Sequence, residues 1–409
     1  MTAQELLLLI LLGLFVQLLV YAGVGFYRHW LAYLALRQQA GARPGEPVPE
    51  PEPAPPAAAP AWPGWRPFRV VERRAEDRAG QVCSFLLAPV DGQPLPACPP
   101  GRFLTFRLDV EGAAKPLVRC YSLSEPATPA HYRVTVKRVP AAGPERPPGR
   151  ASNHFHDRVR VGDVLAVQAP SGHFQLDCAA PGPVVLVAGG IGITPLYSML
   201  CAALAARPER EVWLFYGVRD GREMVFGAAL AALAERHANL HLHVCFSRPG
   251  TDDVAGRDYR HAGRVDIARL RLELPLKPFH FYVCGPGAMM ASLLPALAEW
   301  GVAEARLHYE AFGPASLARP VAGAPAAGLG VRFERSGVRA DWQAGSLLEL
   351  AEASGVKVES GCRLGCCGAC QTAILAGEVA YEQHPEYEVE AGSCLLCLAR
   401  PRTELVLDA

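Results

Sequence analysis

The chain has 409 residues, half of them apolar, with 40 Lys+Arg balanced by 40 Asp+Glu and 13 cysteines. A length near 400 exceeds one domain and implies roughly two to four, and zero net charge without a basic stripe excludes nucleic acid as an expected partner. Six of the cysteines crowd between Cys362 and Cys397, which argues against a distributed disulfide framework and for metal in a reducing compartment.

Leu6 to Phe26 are 21 consecutive positions with no charge and one amide, enough at 1.5 Å per helical residue to cross a hydrocarbon core of about 30 Å. The expectation is a single transmembrane helix, carried with its juxtamembrane turns in residues 1–40. A cleaved signal peptide is the competing reading, but no Lys or Arg precedes the run and no clean small-x-small site follows it. Arg28 and Arg37 follow the helix and Glu5 precedes it, so the positive-inside rule puts the N-terminus outside and the rest in the cytoplasm, at the inner membrane. Residues 41–67 hold ten prolines in 27 positions, a composition that buries no core and favours an extended spacer.

From 68 to about 178, short alternating runs such as RFLTFRLDV, HYRVTVKRV and DVLAVQAP are divided by Pro/Gly turns. That pattern predicts an antiparallel barrel. Arg119-Cys120-Tyr121-Ser122 places a cation, an aromatic plane and a hydroxyl at one strand end, the set needed by a planar ring system with a phosphate tail. Val136-Lys137-Arg138 is a second patch. In GRASNHFHDRV, Gly149 gives a turn and Ser152 is expected to cap a short helix whose exposed N–H groups suit a pyrophosphate.

From Pro183 the pattern changes to continuous apolar strands separated by helices, which indicates a doubly wound parallel sheet. Its first strand ends in Gly189-Gly190-Ile191-Gly192-Ile193-Thr194-Pro195, where glycines allow a nucleotide phosphate to approach and Pro195 fits a first helical turn. A purely structural turn competes, since the spacing is not GxGxxG. Cys284-Gly285-Pro286 ends a later strand, at the side of the sheet where ligands bind. Ser247-Arg248 could receive a 2′-phosphate, and the choice between NADH and NADPH stays open.

After an Ala/Pro/Gly-rich linker (314–329), residues 330–409 form a third unit. Cys362, Cys367 and Cys370 give C-x4-C-x2-C, followed at distance by Cys397, the plant-type 2Fe–2S ligand spacing. Zinc sites usually pair two short knuckles instead. Gly361, Gly365, Gly368 and Ala369 let backbone N–H groups turn toward sulfides. Cys394 is an alternative fourth ligand, and Cys366 a spare thiol.

In order and spacing, RCYSLSEP, YRVTVKRV, GRASNHFHDRVRVGD and APSGHFQL, followed by GGIGITP, Tyr216-Gly217, YVCGPGAMM and HYEAFGP, resemble the ferredoxin reductase family, above all the reductase half of flavohaemoglobins. The cysteine unit resembles the β-grasp ferredoxin domain of oxygenase reductases. The resemblance implies an antiparallel Greek-key flavin barrel (68–178), an α/β doubly wound nucleotide-binding domain (179–313) and an α+β β-grasp domain (330–409). It further implies that Arg119, Tyr121 and Ser122, with Val136 and Lys137, hold the flavin, while Gly149, Ser152 and Asn153 hold its pyrophosphate, favouring FAD over FMN. Gly189, Gly190, Gly192, Thr194 and Pro195 would receive the nicotinamide coenzyme, with Cys284, Gly285 and Pro286 beside its reactive ring and Glu310 and Phe312 closing over the flavin. Cys397 aligns best as the fourth cluster ligand. No haem globin precedes the module, so nitric oxide dioxygenation is not expected of this chain.

The implied route runs from NAD(P)H through FAD and the cluster to an acceptor protein, expected to be a membrane-bound oxygenase, hydroxylase or desaturase because of the anchor. A flavin or ferric reductase and a membrane redox sensor are the alternatives. The neutral total conceals opposed parts: residues 330–409 carry 12 acids and 7 bases, a net −5, and the remainder 28 acids and 33 bases, a net +5.

Overall fold

The computed structural model describes residues 61–409 except 114–115, 142–147, 313–327, 362, 364, 366, 382–384, 386 and 388; before residue 59 it describes positions 4, 17, 23, 27 and 30, all helical. All of the expected membrane span except positions 17 and 23, and most of both linkers, lie outside the described residues. Among the described residues, no helix is long and apolar enough to cross a membrane.

The first sheet contains β1 (Arg66–Ala75), β2 (Val82–Pro89), β3 (Phe103–Leu108), β4 (Leu117–Ser122), β5 (Tyr132–Lys137) and β6 (Val164–Val167), in the order β4-β3-β6-β1-β2-β5. A bridge between Leu123 and Val134 joins the two outer strands and closes the barrel. Phe68, Phe85, Leu104, Phe106 and Val134 fill it. The first strand begins at Arg66 rather than Phe68. Trp62 stacks near Phe68 and Tyr132 and donates from Nε1 to the Val167 carbonyl at 3.4 Å, so the end of the proline-rich stretch belongs to the barrel.

Residues 132–136 of β5 are all buried although apolar and polar side chains alternate. One face looks into the barrel. On the other, the Arg133 guanidinium lies 5.6 and 5.0 Å from the ring centroids of Tyr197 and Phe226 of the next domain, and Thr135 bridges the hydroxyls of Ser84 and Ser124 at 2.7 Å each. The polar outward residues are thus hydrogen-bonded within the barrel to Ser84 and Ser124, ion-paired there with Glu125, and covered by aromatic rings of the neighbouring domain.

That neighbour is a parallel sheet of β7 (Val184–Gly189), β8 (Val212–Val218), β9 (Leu240–Phe246), β10 (His261–Ala262), β11 (His280–Gly285) and β12 (Leu307–Ala311), ordered β10-β9-β8-β7-β11-β12. Helices Ile193–Ala206, Gly227–Arg236, Ile267–Glu273 and Gly287–Glu299 alternate with the strands, and two apolar cores flank the sheet. Strand order reverses between β7 and β11, and the crevice at their carboxyl ends is where such sheets bind ligands.

The third unit pairs β13 (Leu329–Phe333) antiparallel with β14 (Val338–Trp342) and parallel with β19 (Leu405–Leu407). With β15 (Gln371–Ala376) and β17 (Ser393–Leu395) these make a five-stranded sheet; β16 (Val379–Tyr381) pairs separately with β18 (Ala399–Pro401). The helix Leu347–Ala353 opens with a capping box, Ser346 Oγ accepting from the Glu349 N–H and the Glu349 carboxylate from the Ser346 N–H, which satisfies two otherwise orphaned donors.

Candidate functional site

Strand β4 ends at the junction of the three units. The Ser122 hydroxyl donates to Glu310 Oε2 at 3.4 Å, and Glu310 stands in register beside Cys284 in the β11–β12 pair. Burial pushes the Glu310 carboxyl up to about 8, while the Ser122 hydrogen bond pulls the other way. Burial also pushes the Cys284 thiol far up, and neighbouring Glu310 adds to it. Cys284, fully buried, is therefore an uncharged thiol at neutral pH and no nucleophile. Phe312 lies just past β12 with 39% of its surface exposed, open to a ring placed against it.

The glycines at the carboxyl ends of β7 and β11 have two jobs. A Cβ at Gly192 would collide with the Cys284 carbonyl, and one at Gly189 would sit 2.7 Å from Pro286 Cδ. These positions are small because β7 and β11 pack backbone to backbone at the switch point. Gly190 differs: it has φ +52° and nothing within 4 Å of where a Cβ would be, so it is the position that gives a ligand room. A 3-10 turn, Gly190–Gly192, leads into the helix Ile193–Ala206, in which Thr194 and Pro195 are buried in the first turn, where proline's missing N–H leaves no bond unmade. A Cβ at Gly285 would run into Met289 Cε and lie 3.1 Å from the backbone N and Cα of Gly189, so it too serves the close packing there.

The helix expected near Ser152 is present as Arg150–Asp157, but its N-cap is Gly149 and Ser152 is its third residue, donating back to the Gly149 carbonyl at 3.2 Å. The start is fixed by tertiary pairing: the Gly149 N–H bonds the Val139 carbonyl at 3.0 Å, and His156 Nε2 meets the Val136 carbonyl at 2.9 Å. Asn153 carries a buried Oδ1 that has no hydrogen-bond partner, the kind of orphan a bound ligand satisfies. Lys137 reaches across to Glu223 of the next domain at 3.5 Å. No sequence signal singled out Glu223, because its partner is 86 positions away.

Tyr121 packs edge-on against Phe155 and Phe106, with centroids 5.0 and 5.8 Å apart, and burial pushes its phenol up. Arg119 is exposed and donates from Nη1 to the Val118 carbonyl at 2.7 Å and to the Ser360 carbonyl at 3.1 Å. The strand read as flavin-holding therefore touches the loop that carries the cysteines. Cys362 and Cys366 lie outside the described residues. Cys367, Cys370 and Cys397 are buried at 6, 4 and 8% exposure. A Cβ at Gly361 would sit 2.7 Å from Cys367 Sγ, and Gly368 has φ +71° with the Tyr387 ring where a Cβ would go. The Leu396 N–H bonds the Cys370 carbonyl at 3.2 Å, which holds the turn bearing Cys397 beside the first loop. Cys394, on β17 opposite Thr372, is wholly enclosed in the core; burial pushes its thiol up to about 12, with nearby Cys370 adding to it.

Family models match the three units in turn: an oxidoreductase FAD-binding domain over residues 92–176, an oxidoreductase NAD-binding domain over 186–294 and a 2Fe-2S iron-sulfur cluster binding domain over 331–402. A flavohemoprotein of Chromobacterium violaceum is 41% identical over 254 residues, 62% of this chain and 61% of the relative. The chain thus spans about three-fifths of the length of the curated relatives it matches. Among solved structures, the FAD/NAD-binding domain of a nitric oxide dioxygenase from Vibrio cholerae O1 biovar El Tor is 32% identical, with TM-score 0.54, covering 61% of this chain and all of that one. Phthalate dioxygenase reductase, described as a modular structure for electron transfer from pyridine nucleotides to 2Fe–2S, is 28% identical, with TM-score 0.51, covering 85% of this chain and 98% of that one. The class is that of oxidoreductases binding FAD, NAD(P)H and a 2Fe–2S cluster. The chain belongs to the ferredoxin-reductase-like family, with a flavohemoprotein-type FAD/NAD module joined to a 2Fe–2S domain in the domain order of phthalate dioxygenase reductase. The orphaned Asn153 Oδ1, the open space at Gly190 and the buried thiols of Cys367, Cys370 and Cys397 fit these groups.

Proposed function

We propose that the chain draws reducing equivalents from NADH or NADPH and delivers single electrons to a protein acceptor, an oxygenase, hydroxylase or desaturase at the membrane. When bound, the flavin would supply the conversion of a two-electron hydride into two successive single-electron transfers, both toward the cluster. The observation that carries this reading is the convergence on β4: Ser122 bonds Glu310 of the nucleotide domain, and Arg119, three residues earlier, bonds the Ser360 carbonyl of the cluster loop. At about 3.3 Å per strand residue the two contacts are about 10 Å apart along the chain, so the nicotinamide and cluster sides meet one short strand. Ser122 offers a hydroxyl to a ring nitrogen, Cys284 an uncharged contact, and Glu310 a carboxyl that holds its proton at neutral pH. Cys362, Cys367, Cys370 and Cys397 are the proposed cluster ligands.

The acceptor class rests on the likeness to phthalate dioxygenase reductase, and the membrane setting on the uncharged run Leu6 to Phe26. A cytoplasmic catalytic part at the inner membrane follows from Arg28 and Arg37. The test is stopped-flow reduction of the full-length holoenzyme by NADH and NADPH. In a Cys370→Ser variant the flavin should still bleach at the wild-type rate while electron delivery to the acceptor stops. Undiminished delivery would refute the route through the cluster, and recovery of the chain in the soluble fraction would refute the anchor.

A further inference from the structure

Away from the nucleotide crevice, His243 on β9, His261 on the edge strand β10 and Glu273 at the end of the helix Ile267–Glu273 each bring one potential ligand atom within 4.8 Å of the other two. His243 Nδ1 and His261 Nε2 share a hydrogen bond at 3.0 Å, so a metal ion would bind by displacing the proton between them. Glu273 Oε2 lies 3.7 Å from His243 Nδ1, and its Oε1 lies 3.6 Å from His261 Nε2. Zinc bonds of 2.0–2.1 Å in tetrahedral directions separate neighbouring ligand atoms by about 3.3–3.4 Å. The His–His contact is shorter than that value and the two His–Glu contacts, made through different carboxylate oxygens, are longer, so metal binding would part the rings and turn one carboxylate oxygen inward.

We propose that His243, His261 and Glu273 form a binding site for a transition-metal dication of the zinc class, with the fourth position open to water. The carboxylate is the second observation. Its other basic neighbours, Arg260 Nη2 at 3.8 Å and Arg269 Nη1 at 4.0 Å, are also beyond hydrogen-bond length, so among the described residues Glu273 faces its four basic neighbours at ion-pair rather than hydrogen-bond distance. The ring of His243 is held in place by stacking with Phe215 and Trp213, centroids 4.6 and 5.4 Å away. Side-chain exposure rises from 2% at His243 through 9% at His261 to 18% at Glu273, so the site opens to solvent on the carboxylate side. Two imidazoles and one carboxylate suit zinc, cobalt or nickel and disfavour magnesium or calcium, which prefer all-oxygen sets. Arg260 and Arg269 repel a dication and weaken its binding. Metal here would clip the edge strand and the end of a helix onto β9.

The test is a titration of the cluster-loaded, full-length holoenzyme with Zn2+ and with Co2+ as its spectroscopic probe, compared with Glu273→Gln and His261→Gln. One equivalent should bind with a tetrahedral nitrogen/oxygen Co2+ spectrum and raise the thermal midpoint, and each variant should weaken binding at least tenfold and abolish the rise. Glu273→Gln keeps the side-chain shape, so it reports on the site even if His261→Gln fails to fold. Absence of binding, binding with a thiolate charge-transfer band, or equal affinity in Glu273→Gln would overturn the proposal.

Discussion

Ser122, Glu310 and Gly192 show how single side chains set up the crevice. Replacing Ser122 by Ala removes one hydrogen bond, worth about 1–1.5 kcal/mol, and should slow flavin reduction by NADH about tenfold in stopped-flow traces. Glu310 predicts a pH dependence. Its carboxyl titrates near 8 in the folded chain against about 4.3 in an unfolded one, so the native state binds more protons between those values. Its contribution is fully present below about pH 4.3 and is lost as pH rises through about 8. Denaturant titrations should show native stability declining over that window in the wild type and a shallower decline in Glu310→Gln. Gly192→Ala must push a methyl into the Cys284 carbonyl; a loss of about 1–3 kcal/mol in stability with weakened NADH binding is expected, read by thermal melts and KM. The sequence announced Gly192 as a phosphate-loop residue, whereas its tight contact is with a strand about 90 positions later, which local spacing cannot report.

At the scale of elements, what was legible depended on how local the determinant is. The parallel strands were readable because continuous apolar runs need two covering layers, and the cysteine loop because its spacing lies within nine residues. The helix after Gly149 was foreseen but its first residue was not: a serine there looks like a cap, yet the hydrogen bond between Gly149 and Val139 decides where the helix begins. Likewise β5 alternates as if one face were wet, and only the packing of Arg133 against Tyr197 and Phe226 explains why it is dry. The capping box of the helix Leu347–Ala353 gives a clean test of a local determinant. Ser346→Ala should lower the stability of the cluster unit by about 1 kcal/mol, measured by the denaturant midpoint at which cluster absorbance is lost.

At the scale of the whole molecule, charge is partitioned rather than absent. Residues 330–409 carry a net −5, and Glu378 and Glu390, at the ends of the most acidic stretch, are exposed. Such a surface steers a basic partner, and steering is screened by salt. The kcat/KM for a protein acceptor should fall with ionic strength, and a Glu378→Gln/Glu390→Gln variant should show a shallower fall, while NADH oxidation with a small neutral acceptor stays flat.

The bond from Arg119 to the cluster loop ends on the main-chain carbonyl of Ser360, an atom every amino acid possesses. That bond is therefore indifferent to the side chain at position 360 and depends on the path of the loop. A cluster unit of different sequence but the same loop course would dock in the same place, so the terminal module is interchangeable in principle: a chimera carrying a foreign plant-type ferredoxin unit after residue 329 should keep internal electron transfer while changing the acceptor it serves.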